Sequence, residues 1–238
     1  MSKSIPQSIS KIIIAIDGPA GAGKSSVAKI IASKLNLTYI DTGAMYRAVT
    51  WLALRNSIML EAQKDILLDL LSKAEITLLP GEKRQRVLLN GFEITDQIRT
   101  PEIVKYVSQV SAIPEVRSKL VSLQQQMGEV GGVIMDGRDI GTTVFPNADL
   151  KIFLIASSRE RASRRQIQQR ELGIEEDLDS IQAEIERRDF IDTTRAVSPL
   201  SQAADAILID TDQITIYEVV DKIIATLNTK LGESKKGF

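Results

Sequence analysis

Cysteine and histidine are both missing from the 238 residues. Without cysteine there is no disulfide, no thiol nucleophile and no thiolate zinc site. Without histidine the commonest general base is gone, and with it the usual catalytic triads and most transition-metal sites. Neither charge sign is in excess: 30 basic residues stand against 31 acidic ones, a formal net charge of −1. That balance argues against a general binder of nucleic acid or anionic membrane. No apolar run approaches the roughly 20 residues needed to cross a bilayer. The run Ile12–Ile16 is too short for a signal segment and leads into Asp17 and a glycine-rich turn. A cytoplasmic protein with small-molecule partners is expected. Its chemistry has to run on Asp, Glu, Lys, Arg, Ser, Thr, Tyr and backbone amides.

At 43% hydrophobic content the chain can bury one sizeable core with a small appendage. Short apolar runs at 12–16, 38–40, 133–135, 151–155 and 206–209 read as buried strands. Helix-period segments start near Lys24, Gly43, Ser158 and Gln213. Such alternation predicts an α/β fold, a parallel sheet with helices on both faces. The stretch from Ala74 to Thr95 breaks the rhythm, with strand-like residues at 76–79 and 86–89 and turn pairs Pro80-Gly81 and Asn90-Gly91. It predicts a small antiparallel insert, followed by helices over about 101–112 and 114–128. Residues 1–10 and 231–238 read as loose tails.

Gly18-Pro19-Ala20-Gly21-Ala22-Gly23-Lys24-Ser25 fits the phosphate-loop pattern G-x-x-x-x-G-K-[ST], after a strand and before a helix. Glycines let backbone amides approach phosphate oxygens, and the helix N-terminus adds its positive end. By residue usage the bare pattern arises by chance in roughly one chain in a hundred of this length. Lys24 would reach the β- and γ-phosphates, and the Ser25 hydroxyl would help hold Mg²⁺. A regulatory GTPase should also carry Asn-Lys-x-Asp, and no asparagine here precedes a lysine.

Three further segments carry charge at element ends. Asp41-Thr-Gly-Ala-Met-Tyr-Arg47 follows the second strand, with Thr42 reading as the helix N-cap. Arg47 suits either a solvated helix face or a phosphate grip. Asp136, ending the apolar run Val133–Met135, stands where a carboxylate would approach Mg²⁺ through water, or caps a turn with Gly137. Arg138 suits a phosphate, and Asp139 can accept from an exocyclic amine. From Ser157 to Arg195 every cation is arginine, eight in all against ten acids. Arg161, Arg164 and Arg165 share helical spacing. They form either a salt-bridged face or an arm carrying guanidinium groups to a transferring phosphoryl group.

Taken in order, Ile16-Asp-Gly-Pro-x-Gly-Ala-Gly-Lys-Ser25, Asp41-Thr-Gly-Ala-Met-Tyr-Arg47, Asp136-Gly-Arg-Asp-Ile-Gly-Thr-x-Val-Phe-Pro146, Lys151-Ile-Phe-Leu-x-Ala-Ser157 and Arg195-Ala-Val-Ser-Pro-Leu200 resemble the bacterial cytidylate kinases over about 11–228. The resemblance implies transfer of the γ-phosphate of ATP to CMP or dCMP by a monomer. It implies a three-layer phosphate-loop kinase core (11–65, 129–157 and 196–230), a monophosphate-binding insert at about 66–112 and a helical lid at about 158–195. By motif, Gly18 to Ser26 would hold the ATP phosphates, with Mg²⁺ near Ser25 and Asp136. Arg47 and Arg138 would grip the CMP phosphate, with Thr42 where relatives often have serine. Ser108, Arg117 and Asp139 would read cytosine, and Arg188 and Asp192 the sugar. Lys24, Arg164, Arg188 and Arg195 would neutralise the phosphoryl group in flight. Adenylate- and shikimate-type kinases, and a nucleotide-dependent switch, are the alternatives.

Overall fold

The computed structural model describes residues 9–234 apart from 61, 83 and 172, so the expectation of loose tails at 1–8 and 235–238 lies outside the described residues. Each apolar run becomes a strand: β1 (Ile13–Asp17), β2 (Thr38–Asp41), β6 (Val133–Gly137), β7 (Leu150–Ile155) and β8 (Ile207–Asp210). They form one parallel sheet in the order β2-β6-β1-β7-β8. Ile14 and Ile16 of β1 pack on one face with Val27 and Ile31 of α1 (Lys24–Leu35) and Val220 and Ile223 of α8 (Ile216–Ser234). Ala15 faces the other way, among Met135, Ile140 and Val144 and beside Val121 of α5 (Pro114–Gly128). A strand covered on both faces has no polar side, so the runs are continuous rather than alternating.

The insert is a three-stranded antiparallel sheet of β3 (Ile76–Leu79), β4 (Arg86–Leu89) and β5 (Phe92–Glu93). Asn90 and Gly91 both take positive φ (51° and 79°), as a two-residue hairpin requires. Before it lies α3 (Lys64–Lys73), a helix the sequence reading did not separate from the insert; Leu67 and Leu71, one turn apart, are its buried stripe. These residues join a second core with Met45 and Val49 of α2 (Thr42–Arg55), Val110 of α4 (Pro101–Ala112), and Val116 and Leu120 of α5. Burying each such side chain contributes about 1.5–3 kcal/mol. This cluster packs α2, α4 and α5 together with the insert.

Element ends follow local chemistry, and some differ from the sequence expectation. The N-cap of α2 is Asp41, whose Oδ1 accepts from Ala44 N at 2.9 Å, and not Thr42. Thr42 is the first helical residue, and its hydroxyl donates to the Asp136 carbonyl at 2.7 Å. A carboxylate caps at least as well as a threonine hydroxyl, and Thr42 is drawn to β6 instead. Thr215 and Glu218 form a reciprocal capping box that starts α8 at Ile216, later than Gln213. That helix continues through Ser234, so residues 231–234, expected as part of a loose tail, are helical. The remaining helices are α6 (Ser158–Glu171) and α7 (Leu178–Thr194), packed on each other through Ala162, Ile181 and Ile185. Among the described residues, no helix is long and apolar enough to cross a membrane.

Candidate active site

The parallel strands point their carboxyl ends at one crevice, where α/β sheets usually hold ligands. Gly18 opens the loop there at φ +143°; a Cβ on it would lie 2.0 Å from the Leu154 carbonyl oxygen. Only glycine fits so close to β7. Lys24 begins α1 and is buried, its Nζ donating to the Pro19 carbonyl at 2.7 Å. Burial, then the nearby Arg138 charge, lowers its pKa to about 7. Ser25 Oγ donates to Asp136 Oδ2 at 2.7 Å, and Tyr39 OH donates to Oδ1 at 2.8 Å. Burial, then Asp41, raises the pKa of Asp136. Among the described residues no group of three or more His, Cys, Asp or Glu could enclose a metal. A hydroxyl and one carboxylate in contact nevertheless suit Mg²⁺, which takes few protein oxygens and fills its octahedron with phosphates and water.

A cavity of about 240 Å³ beside this loop gathers the acceptor candidates: Thr42, Arg47, Ser108, Arg117, Arg138, Asp139, Arg188, Asp192 and Arg195 all line it, with Lys24 and Asp136. They come from six elements and from loops, so only the fold unites them. Arg117 and Asp139, 1% and 3% exposed, form a direct ion pair. Arg195 Nη2 stands 3.7 Å from the same carboxylate. Arg138 Nε donates to Asp192 Oδ2 at 2.9 Å, and Arg47 Nη2 to Asp41 Oδ2 at 2.8 Å. Burial works against the Arg138 charge, but Asp192, Asp136 and Asp189 outweigh it and raise its pKa. Burial likewise opposes the Asp192 charge, and Arg138 and Arg195 outweigh it, so that pKa is lowered. Arg188, buried and repelled by Arg138, falls to about 10. Among the described residues, the buried Nε atoms of Arg47, Arg117 and Arg188 have no hydrogen-bond partner. Such unspent donors in a polar cavity point to a ligand rather than to a finished core.

A larger cavity of about 850 Å³ lies along the loop residues Ala20 to Ser26. Arg164 lines this cavity and not the smaller one. Its guanidinium donates to Glu160 at 2.9 Å and to the Thr211 hydroxyl at 3.0 Å. Of the three arginines read as one face, Arg165 pairs with Glu184 at 3.6 Å, and Arg161 turns inward. Gly18 and Pro19 shape the loop from behind and line neither cavity.

A cytidylate kinase family profile matches residues 14–229. The chain belongs to that family. It is 53% identical to the cytidylate kinase of Enterococcus faecalis over 92% of this chain and 97% of the relative. Against the cytidylate kinase of Desulforamulus reducens it is 57% identical, covering 89% and 94%. A solved structure of an uncharacterised Eubacterium ventriosum protein superposes with a TM-score of 0.52 at 14% identity, covering 92% and 99%, a likeness of fold alone.

For a cytidylate kinase, Asp17 and Arg99 of this site have no functional reading in the sequence, and Arg161 reads there only as one member of an arginine face. Arg161 Nη1 donates to the Ala20 carbonyl and Nε to that of Ala156, each at 3.0 Å, and Nη2 meets Asp189 at 2.6 Å. It joins α6 to the phosphate loop. Its buried neighbour Ala162 was the available signal. Arg99 Nη2 lies 3.5 Å from the Asp41 carboxylate, opposite Arg47, with nothing local to mark it. Burial opposes the Asp41 charge, and Arg47 and Arg99 outweigh it and lower that pKa. Asp17 closes β1, and its contacts cross the sheet to the segment after β6.

Proposed function

We propose that this chain transfers the γ-phosphoryl group of ATP to CMP or dCMP, giving ADP and CDP or dCDP, as a monomer. The observation that carries the reading is the buried Arg117–Asp139 pair in the same cavity as Lys24. Cytosine offers an exocyclic amine beside the acceptors N3 and O2. Asp139 accepts from the amine, and Arg117, with a free Nε, donates to the ring. Uracil puts O4 where the amine was, so the carboxylate faces another acceptor and stays unpaired. Ser108 completes the base contact, and Arg188 and Asp192 hold the sugar.

The same arrangement seats the phosphates. Gly18 to Ser26 with Lys24 hold those of ATP, and Arg47 and Arg138, beside Thr42, take that of CMP. Lys24, Arg188 and Arg195 surround the phosphoryl group in transfer, and Arg164 joins them when the lid closes. Ser25, and Asp136 through water, would hold Mg²⁺, which would neutralise charge on the donor phosphates. Phosphoryl transfer asks mainly for position and spread positive charge, which a chain without histidine or cysteine can supply. In domain terms the core spans 11–65, 129–157 and 196–230, the acceptor insert about 66–112 and the lid about 158–195.

The test is a coupled ADP-release assay with ATP·Mg²⁺ against CMP, dCMP, UMP, AMP and GMP. CMP and dCMP are expected to turn over, with UMP about a hundredfold poorer by kcat/KM. Equal turnover of AMP or GMP, or ATP hydrolysis as fast without CMP as with it, sinks the reading.

A further inference from the structure

Asp17 is a buried carboxylate with no part in the mechanism above. It is the last residue of β1, directly before Gly18, and is 4% exposed. Its Oδ1 accepts from Ile140 N at 2.8 Å and its Oδ2 from Gly141 N at 2.7 Å. Those amides open the tight turn Ile140–Val144, whose first N–H groups have no partner within the turn. The turn is otherwise tied to Asp139, whose carbonyl accepts from Thr143 N at 2.8 Å. One carboxylate from the donor side of the crevice therefore fixes the backbone just beyond the side chain that faces the base.

We propose that Asp17 is a positioning residue for acceptor specificity, holding the 140–141 backbone so that Asp139 stays aligned between Arg117 and the base. This rests on the CMP reading above. The geometry leaves little slack. A Cβ on Gly141 would sit 3.1 Å from Lys151 Cδ and 3.4 Å from Asp17 Oδ2, so the turn is packed from both sides. Burial, more than the neighbouring Asp139 charge, raises the Asp17 pKa to about 6. An ionised carboxylate accepts at both oxygens. Asparagine cannot replace it, because one of its two polar atoms is a donor and would face an N–H.

The readout is the ratio of kcat/KM for CMP to that for UMP, which a purely structural role would leave unchanged because both substrates meet the same folded fraction. Asp17→Asn is expected to lower the ratio by about tenfold or more. Asp17→Ser, which removes the charge without inserting an opposing amine, serves where the asparagine variant does not fold. A wild-type ratio in either folded variant overturns the proposal. Amide exchange in the unaltered protein gives an arm independent of any variant. Ile140 and Gly141 should be protected, and exchange at exposed-loop rates overturns the proposal. A wild-type chain that did not prefer CMP would instead sink the functional reading, so the two failures are separable.

Discussion

Replacing Asp139 by asparagine tests the base-reading pair directly. The carboxylate is 3% exposed and faces Arg117, 1% exposed, and Arg195 at 3.7 Å. Breaking one side of a buried pair costs about 3–5 kcal/mol, because the surviving charge stays buried. The variant should therefore melt lower, and raw activity would mix folding with recognition. The CMP-to-UMP ratio of kcat/KM removes that mixture. For CMP, the amine loses a charged acceptor and keeps the neutral amide oxygen at best. For UMP, O4 meets an amide that can turn its NH₂ toward it, ending a repulsion. Leaving a buried group unpaired costs about 1–3 kcal/mol, and at 1.36 kcal/mol per tenfold the ratio should fall by about 5- to 150-fold. The assay is steady-state ADP release at saturating ATP with each acceptor varied, on protein shown folded by its melt. A ratio equal to the wild type's would refute the assignment of Asp139 to the base.

Other outcomes follow from the same geometry. Lys24→Met should lower kcat by about 10²–10³. Without nucleotide it should also change the pH profile of stability. The folded pKa of about 7 lies below the ordinary 10.5, so the unfolded chain binds the extra proton between those values. Wild-type stability thus rises with pH across that window, and denaturation midpoints should bring the variant's relative advantage down between pH 7 and pH 10. A gap independent of pH contradicts it. Arg161→Ala strips Asp189 and the Ala20 carbonyl of a buried partner, costing about 3 kcal/mol, which should lower Tm by about 6–12 °C and raise the KM for ATP. Unchanged melting would show that this joint is idle. Asp41→Asn keeps a competent N-cap but leaves Arg47 and Arg99 without their carboxylate. Saturating CMP should then raise Tm more in the variant than in the wild type, and equal shifts would count against Arg47 as a phosphate grip.

The elements that the sequence disclosed are those whose cause is local. The Asn90-Gly91 hairpin, Pro101 and Pro114 at helix starts, and apolar runs buried on both faces each carry their reason within a few residues. The strand order β2-β6-β1-β7-β8 does not, because β1 and β6 pair across more than a hundred residues. The site divides the same way. The phosphate loop was legible from its spacing alone. The cation and carboxylates at 136–139 were visibly out of place after an apolar strand, and motif resemblance supplied their expected companions Ser108, Arg117 and Arg195. Asp17 and Arg99 were not legible, and neither was the inward turn of Arg161 away from its expected face, since each acts through a contact to a distant backbone or carboxylate. Asp17 in particular reads as the polar end of a strand until the turn at 140–144 is placed against it.

The ion pairs of the smaller cavity bear on how an anion can enter it. Six cations and four carboxylates line the space, an excess of two positive charges when all are ionised. A nucleoside monophosphate brings about two negative charges. Leaving six cations unpaired in a buried space would be far too costly. Instead Arg47, Arg117 and Arg138 are each held by a carboxylate: Asp41, Asp139 and Asp192. A phosphate arriving at Arg47 and Arg138 adds an acceptor to guanidinium groups that are already desolvated and oriented, so less ordering remains to be done on binding. Guanidinium suits this better than ammonium, because its five donors allow a carboxylate and a phosphate to be held together. The single lysine in the cavity, Lys24, pairs with no carboxylate among the described residues and donates to the Pro19 carbonyl at 2.7 Å, while burial lowers its pKa to about 7. Donor phosphates would supply the negative charge that favours its charged form. Under the proposed function, carboxylates orient Arg47, Arg117 and Arg138 before the acceptor arrives, and Lys24 is left to be fixed by the donor nucleotide.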